Sequence, residues 1–384
     1  MNRLEVGEQA SADVAAATEE MSPASVQPAH VLVIGGAGYL GSVLVRTLLE
    51  RVEHVTVMDA FLFGEEGIRD IAEDPRIDVV RGDLRDLEAI VRACRDADAV
   101  VHLGGLVGDP ACALDRQLTI DVNLEATRTI VRAARGLGVQ RFVFASSCSV
   151  YGSSDDLLDE DSPLEPVSLY AASKMESERI LLEFQREDFA PVILRFGTFY
   201  GLSPRPRFDL IVNMLAAKAA TEGAITVFGG DQWRPFIHVV DGCRAIVAAL
   251  LAPVDDVAGE IFNVGSDREN HTIREVAELV REELPRTRVD ILEDQQDPAN
   301  YRVSFDKIKR TLGFEPEHRL EEAIREIHVA IASGSLEDYS AERYSNVRAM
   351  AAVVDPNRSE IASPDLVQPP GASASMPSVS NGHP

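Results

Sequence analysis

Basic residues are scarce in this chain: 37 Lys and Arg face 63 Asp and Glu, giving a net charge of −26. Nucleic acid and anionic membranes would repel so negative a surface at long range, so neither is an expected partner. An anionic substrate stays compatible, provided that a few arginines gather locally. Cysteines number only four, Cys94, Cys112, Cys148 and Cys243, scattered without a C-x-x-C pair or a grouping with histidine. Neither a disulfide framework nor a metal site is expected, and reduced thiols in the cytosol are the simplest account. No stretch reaches the run of about eighteen apolar residues that spans a membrane, and the first 28 residues lack the basic-then-apolar order of an export signal. The expectation is a cytoplasmic protein without an anchor.

What is present is a hydrophobic fraction of 45% over 384 residues, ample for one large or two moderate domains. Residues 1 to 28 lack sustained periodicity, and 355 to 384 are heavy in Ser, Pro, Ala and Gly, so both read as disordered extensions. Between them, short apolar runs alternate with amphipathic segments. Val31 to Ile34, Val55 to Met58, Asp78 to Val80, Ala99 to Leu103, Phe142 to Ala145 and Val192 to Phe196 read as strands. Such alternation predicts an α/β fold, a Rossmann-type doubly wound parallel sheet over residues 29 to 196. Beyond Gly197 glycine and proline become denser, and helices are predicted at Phe208 to Ala220, Val239 to Leu251 and Thr272 to Glu283. That shift marks a smaller substrate-binding region, 197 to 335, interleaved with the first domain, before a C-terminal extension from 336.

The stretch from His30 to Asp59 organises the rest. A β-branched run leads into Gly35-Gly36-Ala37-Gly38-Tyr39-Leu40-Gly41, then an amphipathic segment, a second apolar run and Asp59. Gly35 suits a turn of unusual dihedrals, Gly38 lets backbone approach a diphosphate, and Gly41 permits close helix–strand packing. The diphosphate would sit on the helix N-terminus. Asp59 ends the second strand, where an acid accepts hydrogen bonds from an adenosine ribose and repels a 2′-phosphate, so NAD is expected rather than NADP. Asp83, in Gly82-Asp83-Leu84 after the third strand, is placed to meet the adenine amine, with an N-cap of the helix near Leu87 as its structural alternative. Gly104-Gly105 after the fourth strand would let backbone lie along the cofactor.

The fifth strand ends in Ser146-Ser147-Cys148-Ser149-Val150-Tyr151-Gly152, at the sheet edge where open α/β folds bind ligands. Tyr170-Ala171-Ala172-Ser173-Lys174 follows in a helical segment. Positions i and i+4 share a helix face, so the Tyr170 phenol and the Lys174 ammonium would enter one site. The ammonium and an oxidised nicotinamide would both favour phenolate, and Ser147 would hydrogen-bond the substrate oxygen.

Taken together, the glycine turn, Asp59, Ser147 and the Tyr170–Lys174 pair make residues 30 to 330 resemble the extended short-chain dehydrogenase/reductase family. Within it the chain is similar to the NAD-dependent epimerase/dehydratase branch, which acts on nucleotide sugars. The resemblance implies Ser147, Tyr170 and Lys174 as the catalytic set. It implies cofactor contacts at Gly35, Gly38, Tyr39, Leu40, Gly41, Asp59, Asp83, Leu84, Leu103, Gly104, Gly105, Asn123, Tyr170 and Lys174. Asn123 would support the active-site helix and its lysine. In Trp233-Arg234-Pro235-Phe236-Ile237-His238 the arginine matches a family residue at the sugar-nucleotide diphosphate, while His238 reads as structural. Substrate contacts are implied at Ser147, Ser149, Thr198, Arg205, Arg207, Asn213, Arg234 and Arg302. Asn263-Val264-Gly265-Ser266 matches a turn near the nucleotide. A homodimer is also implied, through helices near Leu114 to Arg135 and Leu169 to Glu187, where Ile130, Ala133, Ile180 and Leu181 would be covered by a partner or by the chain's own core.

Departures from the family pattern narrow the function. The family's 4,6-dehydratases carry an Asp-Glu pair directly after the catalytic hydroxyl, and here Cys148 and Ser149 stand there. A cysteine characteristic of reductive 3,5-epimerases would fall at Ser149, so Cys148 fails on register and reads as a small buried hydrophobe. A second diphosphate arginine of UDP-sugar epimerases aligns with Asp294, leaving Arg302, Arg205 or Arg207 as substitutes. The reading is an NAD-dependent nucleotide-sugar epimerase acting at C4 of a nucleotide hexose through a transient 4-keto sugar. The alternatives are a 4-keto-sugar reductase, an atypical dehydratase, or a non-catalytic NAD-binding protein.

Overall fold

The computed structural model describes residues 27–293, 299–336 and 338–354. Of the extension expected at 1 to 28, residues 1 to 26 lie outside the described residues, as do 355 to 384 and Asp294.

Seven parallel strands form the central sheet. In chain order they are β1 (His30–Ile34), β2 (His54–Asp59), β3 (Ile77–Arg81), β4 (Ala99–His102), β5 (Arg141–Ser147), Ala190–Phe196 and Ile261–Val264. Their spatial order is Ile261–Val264, Ala190–Phe196, β5, β4, β1, β2, β3. The order reverses between β1 and β4, and a crevice opens there at the carboxyl ends of the strands. Val31, Leu32, Val33 and Ile34 are all fully buried. Helices covering both faces leave no solvated side to the strand, which is why its sequence is continuously apolar rather than alternating. On one face α1 (Tyr39–Leu49) packs beside helix Val239–Leu251; on the other, α2 (Leu87–Cys94) and helices Ala126–Gly136 and Leu169–Phe184 close the core. Residues after 197 are not a separate lobe, because Ile261–Val264 completes the sheet edge against Ala190–Phe196.

Several elements differ from expectation for local reasons. The N-cap of α2 is Asp86, whose carboxylate accepts from the Glu88 and Ala89 amides, so Asp83 is not the cap. The helix expected from Phe208 begins at Ile211, because Phe208 N–H donates to the Tyr344 carbonyl and Arg207 pairs with Asp209 at 2.9 Å. It ends at Gly223, which takes φ +65°. The helix expected from Leu114 is broken into Asp109–Leu114, Arg116–Thr119 and a wide π turn, Ile120–Glu125, before Ala126–Gly136. Ile130, Ile180 and Leu181 are buried within the chain itself, and Ala133 packs against the same core. The apolar positions that suggested a partner subunit are therefore covered intramolecularly.

Candidate active site

The glycine turn shapes the cleft first. Gly35 adopts φ +81°, and a Cβ there would lie 2.8 Å from the Gly104 nitrogen. A Cβ on Gly41 would come within 2.2 Å of the Gly35 carbonyl. The turn and the first helical turn of α1 therefore interlock only as glycine, leaving the helix N-terminus, capped by Gly38 with no side-chain bond, open to an anion. Asp59 ends β2 with Oδ2 accepting from Ala37 N–H at 3.0 Å and Oδ1 from Phe61 N–H at 2.8 Å. Burial pushes its pKa up, while those amides and Arg205 pull the other way. Phe61 itself takes φ 56°, a strained left-handed conformation for an aromatic residue, held where the chain turns away from the ribose position. Asp83 lines the adjacent wall, with its carboxylate held below the usual range by Arg85.

The candidate catalytic residues Ser147, Tyr170 and Lys174 converge at the other end. Helix Leu169–Phe184 starts at Ser168, whose hydroxyl accepts from Ala171 N–H and donates to Asp109. That start sets Tyr170 and Lys174 one turn apart, both lining the cleft with Ser147. Lys174 Nζ donates to the Ala145 carbonyl at 2.8 Å and lies 5.9 Å from the centre of the Tyr170 ring. Burial brings its pKa down to about 8 and pushes the Tyr170 phenol up; hydrogen bonding with Ser147 opposes the latter. The ammonium thus sits beneath the ring rather than at the hydroxyl, and desolvation dominates both groups.

Two networks hold this geometry. Asn123 donates to the Leu106 carbonyl and to Ser173 Oγ, and accepts from Leu106 N–H at 2.7 Å, tying the Gly104-Gly105 loop to the catalytic helix. The π turn places its carbonyl where Thr127 and Ser177 both donate to it. Behind Ser147, Glu178 pairs with Arg195 at 2.7 Å and accepts from Ser146, while Arg195 donates to Tyr151, whose hydroxyl donates to Asn263. This buried chain fastens the helix of Tyr170 to the strand of Ser147, and a satisfied network of this kind favours one arrangement. Its members are distant in sequence, and no motif announced it.

The structure gathers Gly35, Gly38, Tyr39, Leu40, Gly41, Asp59, Asp83, Leu84, Leu103, Gly104, Gly105, Ser147, Tyr170, Lys174, Arg205 and Arg207 around one cleft. Asn123 lies behind the lining. Ser149, Thr198, Asn213, Arg234 and Arg302 also stand outside it. Ser149 donates to the Ser147 hydroxyl. Asn213 is fully buried, its amide binding Gly201 N–H and the carbonyls of Gly201 and Arg207. Arg234 donates to the Trp233 and Ala299 carbonyls, and Arg302 stacks over Trp233 while donating to Asp155. Cys148 is buried with its thiol on the Arg195 carbonyl, and burial pushes its pKa up. His238 caps helix Val239–Leu251 and stacks on His318 at 4.3 Å. Asn263 sits near the end of the edge strand Ile261–Val264, its side chain accepting from the Tyr151 hydroxyl. The lining residues that sequence reasoning missed include Leu106 and Val122, Phe63 beyond β2, and Asn346, Met350 and Val353. Only the apolar face of residues 346 to 354 could have signalled the last group. Among the described residues there is no cluster suited to a metal, and no helix is long and apolar enough to cross a membrane.

A doubly wound sheet with a glycine turn, an acid ending β2 and a Ser-Tyr-Lys set at the carboxyl edge defines a dinucleotide-dependent enzyme of the extended short-chain dehydrogenase/reductase type. The family model described as the NAD dependent epimerase/dehydratase family matches residues 31–265, and the chain belongs to that family. A dTDP-glucose 4,6-dehydratase of an Actinoplanes species is 30% identical over 312 residues, 77% of this chain and 95% of that protein. A UDP-glucose 4-epimerase of Lactobacillus helveticus is 29% identical over 314 residues, 75% of this chain and 92% of that protein. The crystal structure of UDP-glucuronic acid 4-epimerase from Bacillus cereus, in complex with UDP-glucuronic acid and NAD, superposes with a TM-score of 0.71 at 25% identity, covering 79% of this chain and 99% of that one. The cofactor is NAD, and the interlocked glycines and the open helix N-terminus fit it.

Proposed function

We propose that the protein is an NAD-dependent epimerase acting at C4 of a nucleotide hexose through a transient 4-keto sugar. One observation carries the choice between the family's reactions. Where the dehydratases resembled here carry an Asp-Glu pair after the catalytic hydroxyl, this chain has Cys148, buried on a backbone carbonyl, and Ser149, bonded to Ser147. No carboxylic acid or carboxylate stands there to move protons at carbon, as elimination of water requires. Epimerisation needs only one proton taken from a sugar hydroxyl and later returned to the keto oxygen. Bound NAD supplies an acceptor that becomes the hydride donor within the same turnover, and its positive charge favours phenolate.

Tyr170 is the group that takes and returns that proton. Burial holds its phenol well above the usual range, so the positive charges of Lys174 and of the bound cofactor have a large shift to supply. Ser147 hydrogen-bonds the sugar oxygen, and Ser149 completes that hydroxyl pair. Arg205 offers its guanidinium group to the substrate's anionic part and Arg207, paired with Asp209, lines the cleft beside it, with Thr198, Asn213, Arg234 and Arg302 supporting the substrate side from outside the lining. Asp59, facing the ribose position, favours a cofactor without a 2′-phosphate. The experiment is incubation with a panel of nucleotide hexoses deuterated at C4, without added NADPH. A mixture of C4 epimers that keeps the label is expected. Strict dependence on NADPH, or label lost to the cofactor pool, would give the ketoreductase reading instead.

A further inference from the structure

The C-terminal helix, Asn346–Val354, lies beyond the matched family segment, which ends at residue 265. It is nonetheless part of the cleft, because Asn346, Met350 and Val353 line it. Two anchors dock the helix without using the Asn346 side chain. Its first amide, Asn346 N–H, donates to Asp209 Oδ2 at 2.8 Å, and Met350, 2% exposed, packs with Leu106 and Cys112.

The Asn346 side chain has another partner. Its Oδ1 accepts from Arg205 Nη2 at 2.9 Å. Arg205 is only 4% exposed, lines the same cleft as Gly38 and Asp59, and has its guanidinium 4.1 Å from the centre of the Phe63 ring. Its Nε is buried with no hydrogen-bond partner among the described residues. The contrast with Arg207 is chemical. Arg207 binds the Asp209 carboxylate directly at 2.9 Å, so its charge is neutralised by contact. Arg205 is hydrogen-bonded to a neutral amide, which fixes the fork, while the Asp209 and Asp59 carboxylates act on it by charge attraction rather than by a direct hydrogen bond. A buried guanidinium with an open donor, oriented by an uncharged acceptor, matches phosphate oxygens in geometry and in charge. Burial and Arg207 lower its pKa to about 10, which still leaves it charged near neutral pH.

We propose that Asn346 is a positioning residue that holds Arg205 as an anion-binding group for a nucleotide diphosphate, making the C-terminal helix part of the ligand site. The diphosphate comes from NAD or from the sugar nucleotide, and the chemistry that Arg205 recognises is the same in both. The inference does not depend on which sugar reaction is catalysed, and it is tested by binding rather than turnover.

The test uses the full chain loaded with NAD, measuring exchange of bound NAD against labelled NAD and the affinity for UDP. For Asn346→Ala, exchange about tenfold faster or UDP binding about tenfold weaker is expected, the size of one charge-assisted hydrogen bond, with the helix still docked because both anchors survive. Faster NAD exchange alone assigns Arg205 to the cofactor, weaker UDP binding alone to the substrate, and both together to a shared position. Asn346→Asp is the discriminating variant. A merely structural contact would be kept or strengthened by the carboxylate, whereas an anion site would be neutralised and weakened as in Asn346→Ala. Wild-type NAD exchange and UDP affinity in Asn346→Asp would overturn the proposal.

Discussion

The cofactor side and the substrate side of the cleft use polar groups in opposite ways. On the cofactor side, function rests on backbone and on strand ends: Gly35 and Gly41 interlock, Gly38 opens a helix terminus, and Asp59 stands where β2 stops. These groups are placed by elements within 30 residues of one another. On the substrate side, several of the polar residues marked by family resemblance are occupied by the fold itself. Asn213 holds the Gly201 and Arg207 backbone, Arg234 holds two carbonyls, and Arg302 lies on Trp233. A side chain's identity therefore says less about its role there than its hydrogen-bond partners do, since a buried donor goes to whichever acceptor the fold provides.

Substitutions can break that contrast or sharpen it. The largest effect is expected at Tyr170, where Tyr170→Phe should lower turnover by about 10²- to 10⁴-fold while NAD still binds, since the ring remains and only the proton-transfer group is lost. Near-normal turnover would remove Tyr170 from the mechanism. A smaller effect is expected on the cofactor side at Asp59. Calorimetry should show NAD⁺ preferred over NADP⁺, and Asp59→Ala should narrow the gap by about an order of magnitude as the charge facing a 2′-phosphate disappears. Equal affinities in the wild type would dissolve that assignment. The smallest effect is expected at Arg234, where Arg234→Ala removes the guanidinium that donates to the carbonyls of Trp233 and Ala299. It should cost about 1–3 kcal/mol in denaturant unfolding. If UDP binding weakened while stability stayed the same, Arg234 would instead belong to the diphosphate, and the contrast between the two sides would fail at that residue.

Legibility followed the same division. The parallel sheet was readable because Val31 to Ile34 and Val55 to Met58 are buried on both faces and therefore continuously apolar. Helix Val239–Leu251 was readable to the residue, and helix Ile273–Glu283 nearly so, Thr272 being its N-cap in a capping box with Glu275. The start of helix Ile211–Glu222 was not, because its delay depends on Tyr344, more than a hundred residues away. Nor was the Ser146–Glu178–Arg195–Tyr151–Asn263 chain, which joins three strands, a helix and a short turn.

By itself the sequence determined the nucleotide-binding frame, the proposed Ser147, Tyr170 and Lys174 set and the missing dehydratase acids, because each is set by spacing along one or two adjacent elements. Tertiary structure alone decided where the long polar side chains point. It put Lys174 beneath the Tyr170 ring rather than at its hydroxyl, and Arg234 on backbone carbonyls. It also folded residues 346 to 354, which composition marks only as the start of a tail, back over the cleft to meet Arg205. The physical reason is that a buried donor or charge is settled by the acceptors and the desolvation it meets in space, and those come from parts of the chain that no local pattern connects.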